Sequence, residues 1–331
     1  MRTGSLPRLL ILGLLCAGAA IAQAEPQELA PAQWLERMTE ATRQTNYRGV
    51  VMYHSGDMME TMSLVHRYQD GEVRERIFSM SGEPREILRK GDEVTCIIPR
   101  EKKVTIDKLS AESLFPKLPP SSIEQMQENY ELQDIGQRRL AGRTCRGIRI
   151  KARDGFRYGY EIWLDEATAV PVKMSLLARD GAMLEEVMFT QVEFPKTISD
   201  EDLLPELDHK GYKFYSHSQQ PAQLGGTSRW SLSGVPPGFK LSMRDVREMP
   251  DGAGTVEHLM LSDGLSTVSV YSTSMPKPDQ VYEGLSRMGA VHTYGRMVGD
   301  YHLTVVGEVP AATVEMIGEN LHLPGGKQSK Q

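Results

Sequence analysis

Along residues 33–46 the residues Trp34, Leu35, Met38, Ala41 and Thr42 recur at three- and four-residue spacing, with Glu36, Arg37 and Glu40 off that stripe. The pattern predicts an amphipathic helix that ends by Asn46. From Gly49 to about Phe194 the period changes to two. Tyr158, Tyr160, Ile162 and Leu164 share one face, and Gly159, Glu161 and Trp163 the other; Val170, Val172, Met174 and Leu176 stand opposite Lys173 and Ser175. Hairpin dipeptides separate the runs: Asp70-Gly71, Ser81-Gly82, Gly91-Asp92, Asp154-Gly155 and Asp180-Gly181. Short loops between alternating runs predict an antiparallel meander with faces of unlike character. A sheet of this size twists and tends to curl, and its concave face needs an apolar filling. The helix carrying Trp34 is the expected plug. Residues 107–127 interrupt the strands with Phe115-Pro116, Pro119-Pro120 and Ser122–Gln125, the last reading as a capping box that opens a short helix. An insertion of that length is expected to cross a sheet face or cover an open end.

The punctuation then changes. Pro195, Pro205, Pro221, Gly225 and Gly226 accumulate, with one short helix expected at Ser199–Leu204. Strands are expected again near Phe239–Val246, Thr255–Leu261, Thr267–Ser272 and Tyr301–Gly307. A helix from Pro310 to Leu321, with Val314 and Ile317 inward, closes the chain. The predicted fold class is α+β: a large curled antiparallel half-barrel with helices, and a smaller C-terminal α+β domain. The expected divisions are 1–24 leader, 25–208 half-barrel, 209–228 linker, 229–323 second domain and 324–331 disordered tail.

The leader reading rests on Arg2 and Arg8, the apolar run Leu9–Leu15 and the small-residue cleavage pattern Ala22-Gln23-Ala24. It predicts export to the periplasm. The whole chain carries 38 Lys and Arg against 44 Asp and Glu, a net charge of −6, and loss of the two leader arginines makes the mature chain more acidic still. An acidic surface argues against nucleic acid as a partner. Beyond Cys16 the cysteines are Cys96 and Cys145. Export permits a disulfide, and two buried thiols on separate strands fit equally well.

A search for catalytic patterns finds no G-x-S-x-G elbow, H-E-x-x-H helix, phosphate loop or dinucleotide fingerprint. No cofactor or metal is implied. His54 and His66 fall on adjacent predicted strands and could approach one another, but two histidines make a poor zinc site. Methionine is the unusual residue, with 18 in the chain. Met58, Met59 and Met62 crowd one hairpin, with Met52 and Met80 on flanking strands. Thioethers suit a pliable apolar lining and equally suit ordinary core filling. The candidate cavity residues are Trp34, Met38, Met58, Met59, Met62, Tyr158, Tyr160 and Ile162.

Several blocks resemble the MucB/RseB family of periplasmic sigma-factor regulators. They run Trp34-Leu35, Met38 and Tyr47-Arg48-Gly49; then His66-Arg67, Asp70-Gly71, Glu75-Arg76 and Arg85-Glu86-Ile87. Arg139–Arg143, Arg157-Tyr158-Gly159-Tyr160 and Trp163-Leu164-Asp165 follow. In the second domain stand Pro236–Phe239, Ser262–Ser266, Val268-Ser269-Val270 and Thr304–Pro310. Tyr271 stands where the family pattern leads one to expect Phe, and Cys145 where no cysteine is expected, so no disulfide carries over. The resemblance implies a LolA/LolB-like half-barrel. It also implies a non-catalytic regulator that binds the periplasmic domain of a single-span anti-sigma factor, shields it from the site-1 protease, and lets go on a lipid-like signal such as an acyl chain. The alternative is a periplasmic lipid or lipoprotein carrier. Asp263, Gly264, Leu265, Gly307, Glu308, Val309 and Pro310 are the candidate partner contacts, and a homo-oligomer is left open.

Overall fold

The computed structural model describes residues 29–107, 115, 118, 120–217, 228–248, 254–274 and 281–323. The expected leader, the expected tail and half of the expected linker, residues 218–227, lie outside the described residues.

Helix α1 (Pro31–Gln44) leads into β1 (Tyr47–Ser55), β2 (Met58–Gln69), β3 (Glu72–Ser79), β4 (Glu86–Lys90), β5 (Glu93–Ile98) and β6 (Lys103–Asp107). Helix α2 (Pro120–Asn129) is followed by β7 (Tyr130–Leu140), β8 (Arg143–Ala152), β9 (Gly159–Asp165), β10 (Pro171–Leu177), β11 (Met183–Glu193) and β12 (Lys213–His217). These strands make one twelve-stranded sheet in the order β12-β6-β5-β4-β3-β2-β1-β11-β10-β9-β8-β7. It is two meanders, β1 to β6 and β7 to β11, joined where β1 pairs with β11. The expected crossing segment therefore takes the chain from beside one edge of the sheet to the other.

The sheet is curled, and α1 is what it curls around. The helix touches both β2 and β7, although five strands separate those two. Its stripe of Trp34, Leu35, Met38 and Ala41 is buried, as the spacing predicts. Phe115, Leu118, Ile123 and Met126 join the same core from the crossing segment. Helix α2 starts at Pro120, so Ser122 lies inside the helix rather than capping it. Proline at the first helical position needs no amide partner, which lets the helix begin earlier than the capping pattern suggests.

On the outer face, a strap formed by residues 198–207 runs across β2, β3 and β4. Arg67 donates to Ile198 O at 3.1 Å and to Asp200 at 2.7 Å. The fully buried Glu86 carboxylate accepts from Arg76 Nε at 2.7 Å and from the amides of Glu206 and Leu207 at 3.0 Å. A buried carboxylate with that many donors has its hydrogen-bonding capacity met. The strap ends in β12, which pairs in parallel with β6. Residues 213–217, expected within the linker, thus belong to the first sheet. Five residues between Gly and Pro signals read as loop, because the edge they complete is visible only in three dimensions.

The second domain is a six-stranded sheet, β14-β15-β16-β19-β18-β17, and a two-stranded pair, β13 (Ser231–Leu232) with β20 (Leu321–His322). The members are β14 (Lys240–Glu248), β15 (Thr255–Ser262), β16 (Thr267–Ser274), β17 (Gly284–Met288), β18 (Val291–Val298) and β19 (Tyr301–Gly307). Helix α3 (Ala311–Glu319) packs Val314 and Ile317 on β18 and β19. Strands β17 and β18 escape the sequence pattern because β17 is an exposed edge with no alternation of burial. Among the described residues no helix is long and apolar enough to cross a membrane.

Replacing Glu86 by Ala is expected to cost about 3 kcal/mol, since it unpairs buried donors at the strap. Urea unfolding measures this, and a loss below about 1 kcal/mol, the scale of an exposed ion pair, refutes the anchoring role.

Candidate functional site

The eight cavity candidates separate into two groups. Trp34, Met38, Met62, Tyr158, Tyr160 and Ile162 are packed into the first core. Met58 and Met59 are exposed at the β1–β2 hairpin. The open part of the concave side is a groove of about 1180 Å³ between α1, β2–β4 and the β4–β5 turn, and more than half of its lining residues are charged, including Glu36, Arg37, Glu40, Arg43 and Arg89. The expected apolar cavity is thus occupied by side chains: α1 and the crossing segment fill the curl. His66 lines this groove, stacked on Tyr47 with ring centroids 4.4 Å apart and 2.9 Å from Glu75. His54 lies on the opposite face of the sheet, at the other end of β1, so the two histidines do not approach.

The partner candidates lead to the joint between the two domains. Arg157, just before β9, is completely buried there. Its Nη1 donates to Asp263 Oδ2 at 2.6 Å and its Nε to Asp154 Oδ1 at 3.1 Å, while Nη2 donates to the carbonyl of Pro237. The guanidinium lies over the rings of Tyr130 and Phe239, 5.4 and 5.2 Å from their centroids. Tyr130 Oη donates to the same Asp263 oxygen at 2.9 Å. Burial, and then the charge of Asp263, push this phenol well above its ordinary value, so it remains a donor. The other Asp263 oxygen accepts from the amides of Leu265 and Ser266, at 3.0 and 2.7 Å, which fixes the β15–β16 turn. One arginine of the first domain therefore holds two loops of the second.

Further contacts continue the joint. His292 Nδ1 is 2.8 Å from Val309 O and 3.4 Å from Tyr158 Oη. A carbonyl only accepts, so Nδ1 carries the hydrogen. Tyr160 Oη reaches Glu308 at 3.5 Å, and burial, followed by the Glu308 charge, raises its phenol well above the ordinary value. Thr313 Oγ1 donates to Phe156 O at 2.5 Å. Ala290 of the second domain is buried in the first domain's core, and Leu265 packs against it. Gly238 adopts φ +83°, and a Cβ there would meet the Asn129 amide at 2.2 Å.

Asp263 and Val309 are therefore buried inside the joint and cannot themselves touch another chain. Gly264, Leu265, Gly307, Glu308 and Pro310 flank the joint, half-buried. The sequence reading missed Arg157 and Tyr130 as functional positions. The available signal was that Arg157, Pro236–Phe239, Ser262–Ser266 and Thr304–Pro310 all stood in the motif blocks, and these blocks converge here.

Arg157→Met is expected to destabilise the chain by about 3–5 kcal/mol, because Asp263 stays buried without its cation. Adding Asp263→Leu should recover part of that loss. Denaturant unfolding of the four members of this cycle checks it, and strictly additive effects would refute the coupling. Gly238→Ala should loosen the joint, read as faster proteolysis between the domains, since the added methyl collides with Asn129 and the backbone is left-handed.

Comparison with known proteins agrees in both halves. The model of the MucB/RseB N-terminal domain matches residues 30–207 and that of the MucB/RseB C-terminal domain residues 225–322. The sigma factor AlgU regulatory protein MucB of Pseudomonas aeruginosa is 32% identical over 326 residues, covering 96% of each chain. The sigma-E factor regulatory protein RseB of Escherichia coli K12 is 26% identical, covering 87% of this chain and 89% of its own. Among solved structures, MucB in complex with MucA(peri) is similar with a TM-score of 0.70 and 27% identity, over 90% of this chain and 100% of that one. The MucA/MucB complex from Pseudomonas aeruginosa gives 0.69 with 28% identity, over 89% and 99%. Matched along both domains, the chain belongs to the MucB/RseB family.

Proposed function

We propose that this chain is a regulator that binds the periplasmic segment of a single-span anti-sigma factor and shields it from the first-cutting protease. The envelope-stress sigma factor is thereby held inactive. The observation that carries this is the likeness over 90% of the chain to MucB in its complex with MucA(peri). The joint supports the same reading physically. A flexible segment loses conformational entropy when it docks, so a surface already rigid keeps the total cost low. Arg157 and Asp263 lock two domains into one such surface. Gly264, Leu265, Gly307, Glu308 and Pro310 are the proposed contacts, with Asp263 and Val309 supporting them from beneath. The leader over residues 1–24 supports action in the periplasm. The chain acts by binding, not by catalysis.

The acyl-chain signal belongs to this proposal in a form the packing dictates. The apolar core of the concave face is packed by α1 and the crossing segment, so an acyl chain reaches it from the open groove by displacing that helix. Insertion would then disfavour the partner-binding form, and partner and lipid would weaken each other by equal factors. A carrier would need the half-barrel alone. The second domain, locked on through fully buried ions, favours the regulator.

Calorimetric titration of a family-type anti-sigma periplasmic domain into the purified mature chain is expected to give binding at micromolar concentrations or tighter. The bound domain should resist the site-1 protease. No heat of binding at those concentrations, or unchanged cleavage, overturns the reading.

A further inference from the structure

Strand register brings a set of soft ligands together on the outer face of the first sheet. Val51 and Tyr53 of β1 face α1 and the core, so Met52 and His54 face outward. His54 stands directly opposite Met59 on β2, and Met52 directly opposite Met188 on β11. Core residues Phe189 and Val187 flank Met188, which confirms that it too faces outward. Directly opposed side chains start about 5 Å apart at Cβ, and neighbours along one face about 7 Å apart. Thioethers have three rotatable bonds and reach readily across such gaps. Met80, whose amide donates to Thr61 O at 2.7 Å, adds another exposed sulfur beside β2.

His54 has no other task. Among the described residues no hydrogen bond or ion pair engages it. The carboxylate opposite it, Glu186, is drawn away from the row by Lys173 Nζ at 2.7 Å and Ser175 Oγ at 3.1 Å, both on its Oε2. What remains for a ligand is one imidazole and three neutral thioethers. Zinc takes thiolates, imidazoles and carboxylates, so this set suits it poorly. Thioethers select soft ions, Cu(I) above all. We propose that Met52 and His54, with Met59 on one side or Met188 on the other, form a binding site for a soft monovalent cation, Cu(I) or Ag(I); Met59 and Met188 stand two strands and two residues apart, roughly 12 Å, too far to share one ion. The site lies on the face opposite α1, at the strand end where Gly289 of the second domain comes close to Ser55 and Glu185; metal uptake is read without the anti-sigma partner, so its test does not depend on that reading. A bound ion would tie β1 to a neighbouring strand at that end and raise the melting temperature.

The test uses the purified mature chain. Under anaerobic conditions it should take one equivalent of Cu(I) from a weak chromophoric chelator. With Ag(I), the methionine methyl resonances of Met52 and of Met59 or Met188 should shift, while those of the buried Met38 and Met126 should not. The Met52→Leu/Met59→Leu/Met188→Leu variant conserves side-chain volume and should stay folded, yet weaken Cu(I) binding by roughly 100-fold or more, beyond the loss from a merely disturbed outer shell. His54→Ala should weaken it by about tenfold. Failure to compete with the chelator, or binding unchanged in the triple variant or tighter for Zn(II), overturns the proposal.

Discussion

A single guanidinium determines how the two halves of this chain meet. Arg157 has given up all contact with solvent, and an arginine stripped of water is tolerable only if its donors and its flat faces are all used. They are used on both sides of the boundary: Asp154 and Tyr130 from its own domain, Asp263, Pro237 and Phe239 from the other. Opening the joint would expose a hydrophobic contact at Ala290 and would also break an ion pair held between aromatic rings. Such a pair adds less to net stability than its Coulomb energy suggests, because removing both ions from water is costly. Its strength is directional, and it defines one relative placement of the two sheets.

That placement gives the surface residues their setting. Asp263 organises the β15–β16 turn with one oxygen while holding Arg157 with the other. The turn that presents Gly264 and Leu265 is thus shaped by the same carboxylate that secures the domain contact. The 307–310 segment is tied in likewise, through Val309 O to His292 and Glu308 to Tyr160. Both loops flank the joint, and neither could shift without disturbing buried polar partners.

Much of the architecture was legible in the sequence because binary patterning carries it. The α1 stripe, the β9 and β10 alternation and the hairpin glycines all encode local geometry. Among the described residues, six of the eight cavity candidates are packed core, for a reason patterning cannot express. Tyr160 and Ile162 must face something apolar, and alternation does not distinguish an empty lining from a packed wall. Here Trp34, Met38 and Phe115 supply the packing. Strand β12 was hidden because its partner β6 lies over a hundred residues earlier in the chain. Arg157 was hidden because an arginine on a loop reads as solvated until its partners are known. The motif blocks held the information, but only their convergence in space shows that they describe one joint.

The seam between β1 and β11 also governs how such a chain comes to be folded. Each meander can zip from its own hairpins, but the strand nearest the N-terminus waits for a partner nearly 140 residues later. Contacts between such distant positions make folding slow. For a polypeptide made from its first residue onward, β1 emerges early with one edge unpaired. That edge stays exposed until β11 has emerged, a window in which an unpaired strand can join a neighbouring chain. A nascent molecule of this topology therefore has its most aggregation-prone interval in the middle of synthesis rather than at its end.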